Sequence, residues 1–471
     1  AGYHCLPQSM PSKECGRATA GAAAGGKQWY PASLVEDLDR SRPHGVTVLG
    51  VRMVLWYSVK EEGWVAFEDV CPHRLAPLSE GRIEESTGNL MCSYHGWEFG
   101  SGGECKAIPQ VEEEMRERAL GNPKSGVARF LSVERFGMVW VCPDRNAEVG
   151  ELGEPPGPPV LEGPESKEFG TSSVQRDLFY DHSTLVENVI DPSHVPFAHH
   201  GVQGNRKRGA PIPLEVVKEH EKGGFILKGM AEIDFRSPCQ IGYRLEFGSS
   251  GDRKASDAKK TKKIVYLWSY LVPTSPGRSR LIAFFSVNFA RGLTSRVPRF
   301  LDHIHRNDVL DGDMVFLHKQ ERVVNARAHA GIDVLDAFVM PAKADTGVVR
   351  WRRWFRNNRL RWLGEGTVKY APDGIVEMPE EIRDSRVLLD RKTSHADICA
   401  SCSLVLRRIE KLKKVVFWVL AGMALAAALA PLTAAAKAGL GVGAVAVLVA
   451  REVMLEIERR MTYTGYDHAT R

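Results

Sequence analysis

The sequence predicts an α+β chain: a small β domain built around metal loops, a larger mixed domain of strands and helices, and a helical hairpin at the end. Three observations predict it. Between residues 71 and 95, two short loops each pair a Cys with a His amid Gly-rich turns. From Thr171 a His-rich helical segment leads into alternating strands such as "GFILKGMAEIDF", "IVYLWSYLV" and "RLIAFFSVNFA", then a helix after Arg299. From Val415 to Ala450 the chain is nearly all apolar. Its 471 residues suffice for two or three domains, and 43% hydrophobic with 26% charged residues mark a globular chain. A net charge of +5 suits an acidic protein partner or a membrane surface and does not call for nucleic acid. Nine cysteines without a signal-peptide core argue for a reducing compartment with metal or redox cysteines.

Residues 1–27, rich in Ala, Gly and Ser with Glu14 as their acid, read as a flexible end or the remnant of an organelle transit peptide. Residues 28–145 form the β domain, opening on "WYPASLVEDL". Within it Cys71-x-His73 and Cys92-x-x-His95 are the candidate ligands, with eighteen residues between His73 and Cys92. A structural zinc site usually takes its thiols from one knuckle and its imidazoles from another. Here each loop supplies one of each, which suits two irons, with two thiolates on one and two imidazoles on the other. Gly81, Gly88 and Gly96 let the loops fold over such a cluster.

These residues, followed by Gly96-Trp97 and later by the strand "FGMVWVCPD", resemble the Rieske [2Fe–2S] signature. High-potential Rieske carriers add a second Cys to each loop. Leu75 and Ser93 lie nearby here instead, so the resemblance is to the oxygenase type. That implies a second, mononuclear iron. Residues 146–170, rich in Pro, Gly and Glu, read as a linker; residues 171–384 are the expected catalytic domain, with a helix-grip sheet. In it, "LVENVIDPSHVPFAHHG" carries Asn188, Asp191, His194 and His199. Two imidazoles with one distant carboxylate make the facial triad of non-haem Fe(II), leaving positions open for O₂ and substrate. By the family's spacing the histidines are His194 and His199 rather than His200. For the third ligand, Asp313 resembles the position that supplies the carboxylate in related oxygenases, with Asp311 the alternative; either also suits an acid near the start of a helix. Asp191 matches the family residue that bridges the two metal centres. The resemblance therefore implies a homotrimer in which one subunit's cluster faces the next subunit's iron.

"SSGDRKASDAKKTKKI" reads as a charged, solvated hairpin loop, and "VVRWRRWFRNNRLRW" as a membrane-interface or docking helix rather than a nucleic-acid stacking surface. In residues 385–410, Cys399-x-x-Cys402 can form a disulfide. Two unlinked thiols are the plainer alternative, and zinc is set aside because only His395 is close in sequence. Residues 411–455 then form the hairpin. Unbroken, the apolar run would overshoot a bilayer of about 30 Å; broken at Pro431 it gives two short spans. Arg407, Arg408, Lys411, Lys413 and Lys414 before it, and Arg451, Arg459 and Arg460 after it, put both flanks on one side. Residues 456–471 are a C-terminal tail.

"CPHRLAPLSEG", "SYHGW", "DPSHVPFAHH" and "LLDRKTSHADICASC" together resemble the plastid membrane-anchored Rieske non-haem iron oxygenases, from Trp29 to the C-terminus. The resemblance implies a ferredoxin-dependent oxygenase acting with O₂ on a chlorophyll-derived tetrapyrrole. It places the enzyme in a chloroplast membrane, inner envelope or thylakoid, with its body in the stroma. It also implies a thioredoxin-addressed switch at Cys399 and Cys402. The alternative is a non-enzymatic redox-sensing Rieske component of an import complex.

Overall fold

The computed structural model describes residues 27–162, 164–247, 262–289, 296–358, 362–364 and 368–469. The N-terminal stretch read as a flexible end or transit remnant, apart from its last residue, and most of the charged loop, residues 248–261, lie outside the described residues.

Runs of β-branched and aromatic residues build the first body. Its antiparallel sheet runs, in spatial order, Tyr30–Leu34, Met138–Cys142, Arg129–Arg135, Gly63–Glu68, Val51–Ser58 and His44–Val48. Met138–Cys142 is buried throughout, as an unbroken apolar run requires. A second sheet of very short strands, Arg82–Ile83, Leu90–Met91, Glu98–Phe99 and Cys105–Ala107, carries the Cys/His loops.

The second body is an antiparallel sheet in the order Gly170–Leu178, Arg278–Val287, Lys263–Ser275, Gln240–Phe247, Glu232–Arg236, Gly224–Lys228, Glu215–Glu219. "GFILKGMAEIDF" proves to be a hairpin rather than one strand, with Lys228 paired to Glu232 across the turn. Four helices matter here: α1 (His182–Ile190), α2 (Val195–Ala198), α3 (Arg299–His329) and α4 (Thr346–Asn357). Met314 and Leu317 of α3 share one buried cluster with Leu271, Leu281 and Ala283 of the sheet and with Leu185 and Val186 of α1. The sheet thus grips α3, the helix-grip arrangement.

The two bodies share a core. Trp140 meets Tyr270 edge to face at 5.2 Å, and the Leu49 and Gly50 amides donate to Pro273 and Thr274 carbonyls at 2.8 and 2.7 Å. The stretch expected as a linker is packed over this seam: its Gly153 and Pro156 carbonyls accept from Trp29 Nε1 and the Tyr270 hydroxyl, both at 2.9 Å. Buried indole and phenol donors need such acceptors.

The Arg/Trp helix α4 also departs from expectation. Trp351 is fully buried, its Nε1 donating to the Ser183 carbonyl at 3.0 Å, and Arg352 pairs with Glu187 in the interior. Trp351 is a core residue and Trp354 packs half-buried against Phe235, so α4 turns both toward the sheet rather than toward a headgroup layer.

The apolar tail forms α5 (Ala400–Leu429) and α6 (Ala434–Thr462), broken around Pro431. They hold 30 and 29 residues, well beyond the short spans expected. At 1.5 Å per residue each is roughly 45 Å long, so each runs past a hydrocarbon core of about 30 Å. Phe417, Trp418, Leu425, Leu429 and Val442 all point outward. At the base, Lys413 Nζ meets Glu458 at 2.5 Å. Cys402 lies in the first turn of α5 rather than in a separate segment before it.

Candidate metal centres

The two loops of the first site are conformational copies. In each, the Cys amide donates to the carbonyl five residues on (Cys71 to Ala76, Cys92 to Trp97, both 2.8 Å), and the amide four residues on donates back to the Cys carbonyl (Leu75 and Gly96, both 2.9 Å). That turn requires a left-handed residue fourth after the Cys. Gly96 takes it at φ 73°; in the first loop Leu75 takes it at φ 59°, a conformation that favours glycine. Cys71 and Cys92 are buried as free thiols, and the His73 and His95 rings meet at 4.5 Å. Trp97 stacks on His73 at 4.9 Å and 8°, fixing its plane.

These residues fit a [2Fe–2S] cluster. Burial, with Cys92 beside it, drives the Cys71 thiol well above its ordinary value, so a thiolate there needs a cationic partner. His73 Nδ1 is buried without a hydrogen-bond partner. Among the described residues, the groups whose ligand atoms converge within 4.8 Å do not include this quartet. That is expected when the thiols and imidazoles serve two different metal atoms.

The second site forms where α1 ends and α3 crosses. α1 is capped by Asp181, whose carboxylate accepts the Ser183 amide at 2.9 Å, and it stops before Asp191-Pro192. The next single turn, α2, has His194 as its N-cap and His199 as its C-cap, with Pro196 inside its first turn. That turn brings the two rings to 5.2 Å. From α3, Asp313 offers Oδ2 at 3.4 Å from His199 Nε2 and Oδ1 at 3.9 Å from His194 Nε2. His194, His199 and Asp313 therefore converge on one point. Asp313 Oδ1 and the Nδ1 atoms of both rings are buried without hydrogen-bond partners. An unpaired carboxylate oxygen in that setting is costly unless a cation faces it, so the trio fits one iron.

Asp311 and Asp313 both lie in the middle of α3, not at a helix start. Asp311 faces the other way: Arg176 reaches its Oδ1 at 2.6 Å and Arg391 its Oδ2 at 2.7 Å, all three fully buried. His200 is turned off the trio as well, its Nδ1 accepting the Arg206 amide at 3.2 Å. Asp191 lies 3.6 Å from His194 Nδ1 and takes the Ser193 amide at 2.7 Å. Burial works against its charge, but the His194 and Ser193 contacts prevail and hold the carboxyl below its ordinary value.

The closing tail, residues 463–469, adds a contact that no motif announces. Beyond α6 the chain returns to this site, where the Tyr466 hydroxyl donates to the Ala198 carbonyl at 2.9 Å. A Cβ on Gly312 would stand 2.9 Å from that hydroxyl and 3.2 Å from His199 Nδ1, so only glycine lets helix, tail and ligand meet there.

An apolar cavity of about 410 Å³ opens onto the trio. Leu267, Leu281, Phe285 and Leu310 line its interior, and exposed Phe197 and Met230 its mouth. Arg306 also lines it, held 3.3 Å over the Phe285 ring centroid and 3.3 Å from Asp302. It is the Nε that faces Asp302 Oδ1.

A third cluster was not foreseen. Cys399 and Cys402 are free thiols, and His303 of α3 and His395 both meet them. Zinc was set aside because one imidazole was close in sequence; α3 supplies the second from 92 positions upstream of His395.

Residues 28–130 match the Rieske [2Fe-2S] domain family and residues 235–330 the Pheophorbide a oxygenase family. The chloroplastic pheophorbide a oxygenase of Arabidopsis thaliana is 36% identical over 418 residues, 83% of this chain and 75% of its own length. The chloroplastic flavonoid 8-hydroxylase 2 of Ocimum basilicum is 32% identical over 465 residues, 94% and 85% respectively. The crystal structure of dicamba monooxygenase bound to dicamba superposes with a TM-score of 0.57 at 21% identity, covering 71% of this chain and 97% of that one.

Proposed function

Because the chain belongs to the chloroplast family of Rieske non-haem iron oxygenases, we propose that it oxygenates a chlorophyll-derived tetrapyrrole acid of the pheophorbide a or protochlorophyllide a type. Its cofactors are a [2Fe–2S] cluster, which supplies single electrons, and a mononuclear iron, which supplies dioxygen activation. Cys71, His73, Cys92 and His95 are the residues that would hold the first; His194, His199 and Asp313 are those that would hold the second.

The observation that carries the substrate reading is the cavity: apolar walls, the trio at its inner face, and the half-buried Arg306 guanidinium, its Nε already paired with Asp302. Flat macrocycles bury well against such walls, and a side-chain carboxylate would find in Arg306 a cation at the cavity wall. The apolar walls also keep water from the reacting centre. The flavonoid 8-hydroxylase relative favours a second reading, in which a flavonoid fills the same cavity. A redox-sensing import component, the other alternative, has no use for the buried trio.

Reduced ferredoxin would deliver electrons at the cluster loops. Leu75 and Tyr94, at 71% and 62% exposure, supply an apolar docking rim there. Asp191 keeps an exposed edge beside His194, which suits a homotrimer with a neighbour's cluster loops against it. The hairpin would sit in a plastid membrane, envelope or thylakoid, its basic flanks leaving the body in the stroma.

The test uses full-length protein with reduced ferredoxin, labelled dioxygen, pheophorbide a, protochlorophyllide a and a flavone. Labelled oxygen in a tetrapyrrole product is expected. Label only in the flavone would replace the tetrapyrrole reading with the second one. No incorporation, with two irons per chain rather than three, would make the protein a carrier. Arg306→Gln should raise KM for the free acid far more than for its methyl ester.

A further inference from the structure

His303, His395, Cys399 and Cys402 come together from three places in the chain: the first third of α3, the turn before α5, and the first turn of α5. All four are at most 1% exposed. His303 Nδ1 lies 3.1 Å from His395 Nε2, 3.5 Å from Cys399 Sγ and 3.4 Å from Cys402 Sγ; His395 Nε2 lies 3.3 Å from Cys402 Sγ.

Each imidazole is fixed from behind. His303 Nε2 donates to the Ser173 carbonyl at 2.9 Å and His395 Nδ1 to the Gln175 carbonyl at 2.7 Å. A carbonyl can only accept, so both far nitrogens carry the proton and both near nitrogens turn a lone pair inward. Two inward lone pairs 3.1 Å apart, with two thiol sulfurs 3.3–3.5 Å from them, are the donor set that one shared cation would satisfy. A redox dithiol needs no such pair of aimed imidazoles, and a partner's thiol would have to reach sulfurs that are 1% exposed.

We propose that these four residues form a Cys₂His₂ site for a single tetrahedral Zn²⁺ that fastens the root of the hairpin to the catalytic body. With Zn–N near 2.0–2.1 Å and Zn–S near 2.3 Å, a tetrahedron has N···N edges of about 3.3 Å and N···S edges of about 3.5 Å. The distances above match these edges within a few tenths of an ångström. Binding displaces one proton from each thiol to solvent, so Zn²⁺, two thiolates and two neutral imidazoles sum to zero charge, which suits burial. The backing carbonyls belong to strand Gly170–Leu178, as does the Gln175 side chain, whose Nε2 donates to the Ile398 carbonyl at 2.8 Å. Asp37 of the first body accepts the Ala400 amide at 3.0 Å, beside the site. Zinc would thus tie strand, α3 and α5 together ten positions before Asp313 on the same helix. This rests on neither the substrate nor the iron assignment.

Full-length protein in detergent, purified without chelators, would be analysed for metals and thiols. One zinc per chain beside the iron is expected, released when a mercurial titrates the two thiols. Cys402→Ser and His303→Gln should each lose that zinc while the Rieske paramagnetic signal persists. Co²⁺ in its place should show thiolate-to-cobalt charge transfer with tetrahedral d–d bands, a readout that does not need the variants to fold. A Cys399–Cys402 disulfide in the isolated protein, free thiols without metal, or iron in place of zinc would each overturn the assignment.

Discussion

Asp311 and Asp313 stand two positions apart on α3 and serve opposite neighbours: Asp311 is clasped by Arg176 and Arg391 in the interior, while Asp313 turns to His194 and His199. Removing the charge at each should fail differently. Asp311→Asn leaves the buried Arg176 guanidinium without its acid, while Arg391 keeps Asp308, and should cost about 3–5 kcal/mol. Asp313→Asn should leave the melting temperature nearly unchanged but remove the mononuclear iron and all turnover. Thermal unfolding and iron counting on both variants check this; equal destabilisation with equal iron loss would contradict the division.

Leu75 holds a left-handed backbone that its side chain disfavours by roughly 1–2 kcal/mol. Leu75→Gly should therefore raise the melting temperature of the first body. Since the exposed leucine is also placed on the proposed docking rim, KM for ferredoxin should rise in the same variant. A lower melting temperature would mean that the leucine side chain, not the turn, governs this loop.

Asp191 touches His194 from outside the trio, so it acts by positioning and by contact with a neighbouring subunit. Asp191→Asn should keep the full iron content and an unchanged Rieske signal, yet slow single-turnover oxidation of the cluster at least tenfold. If iron is lost instead, the residue serves the site's assembly.

Glu321 is buried, and desolvation together with nearby Asp181 pushes its carboxyl from 4.5 up to about 8. The folded protein then holds a proton that the unfolded chain gives up above pH 4.5. Stability from this group is complete below that value and declines as pH climbs through 8. Glu321→Gln keeps an acceptor for the Asp181 amide, which now donates at 2.6 Å, without the charge. Its melting temperature should gain on the wild type progressively between those two values, a few degrees at the upper end. A gap that does not change with pH would refute the assigned shift.

The local motifs were legible because their ligands are close in sequence. Cys71 with His73, Cys92 with His95, and His194 with His199 each span one turn, so spacing alone states their geometry. The hairpin was legible for a similar reason: an apolar run with a proline near its middle has few alternatives. Trp351 and Trp354 were misjudged because an Arg/Trp pattern looks alike whether its tryptophans meet lipid or Phe235 of the sheet. Leu75 was missed because a non-glycine in a left-handed turn leaves no mark in composition.

By itself the sequence determined the kinds of ligand, their pairing within loops, and the order of the domains, since these follow from side-chain chemistry and short spacing. Only the tertiary structure decided which acid faces the histidines, what the closing tail covers, and that His303 joins His395 and the two thiols. Those relations depend on how α3 rotates against the sheet and where the returning chain lands. Contacts between residues tens to hundreds of positions apart are set by packing, which no local pattern encodes.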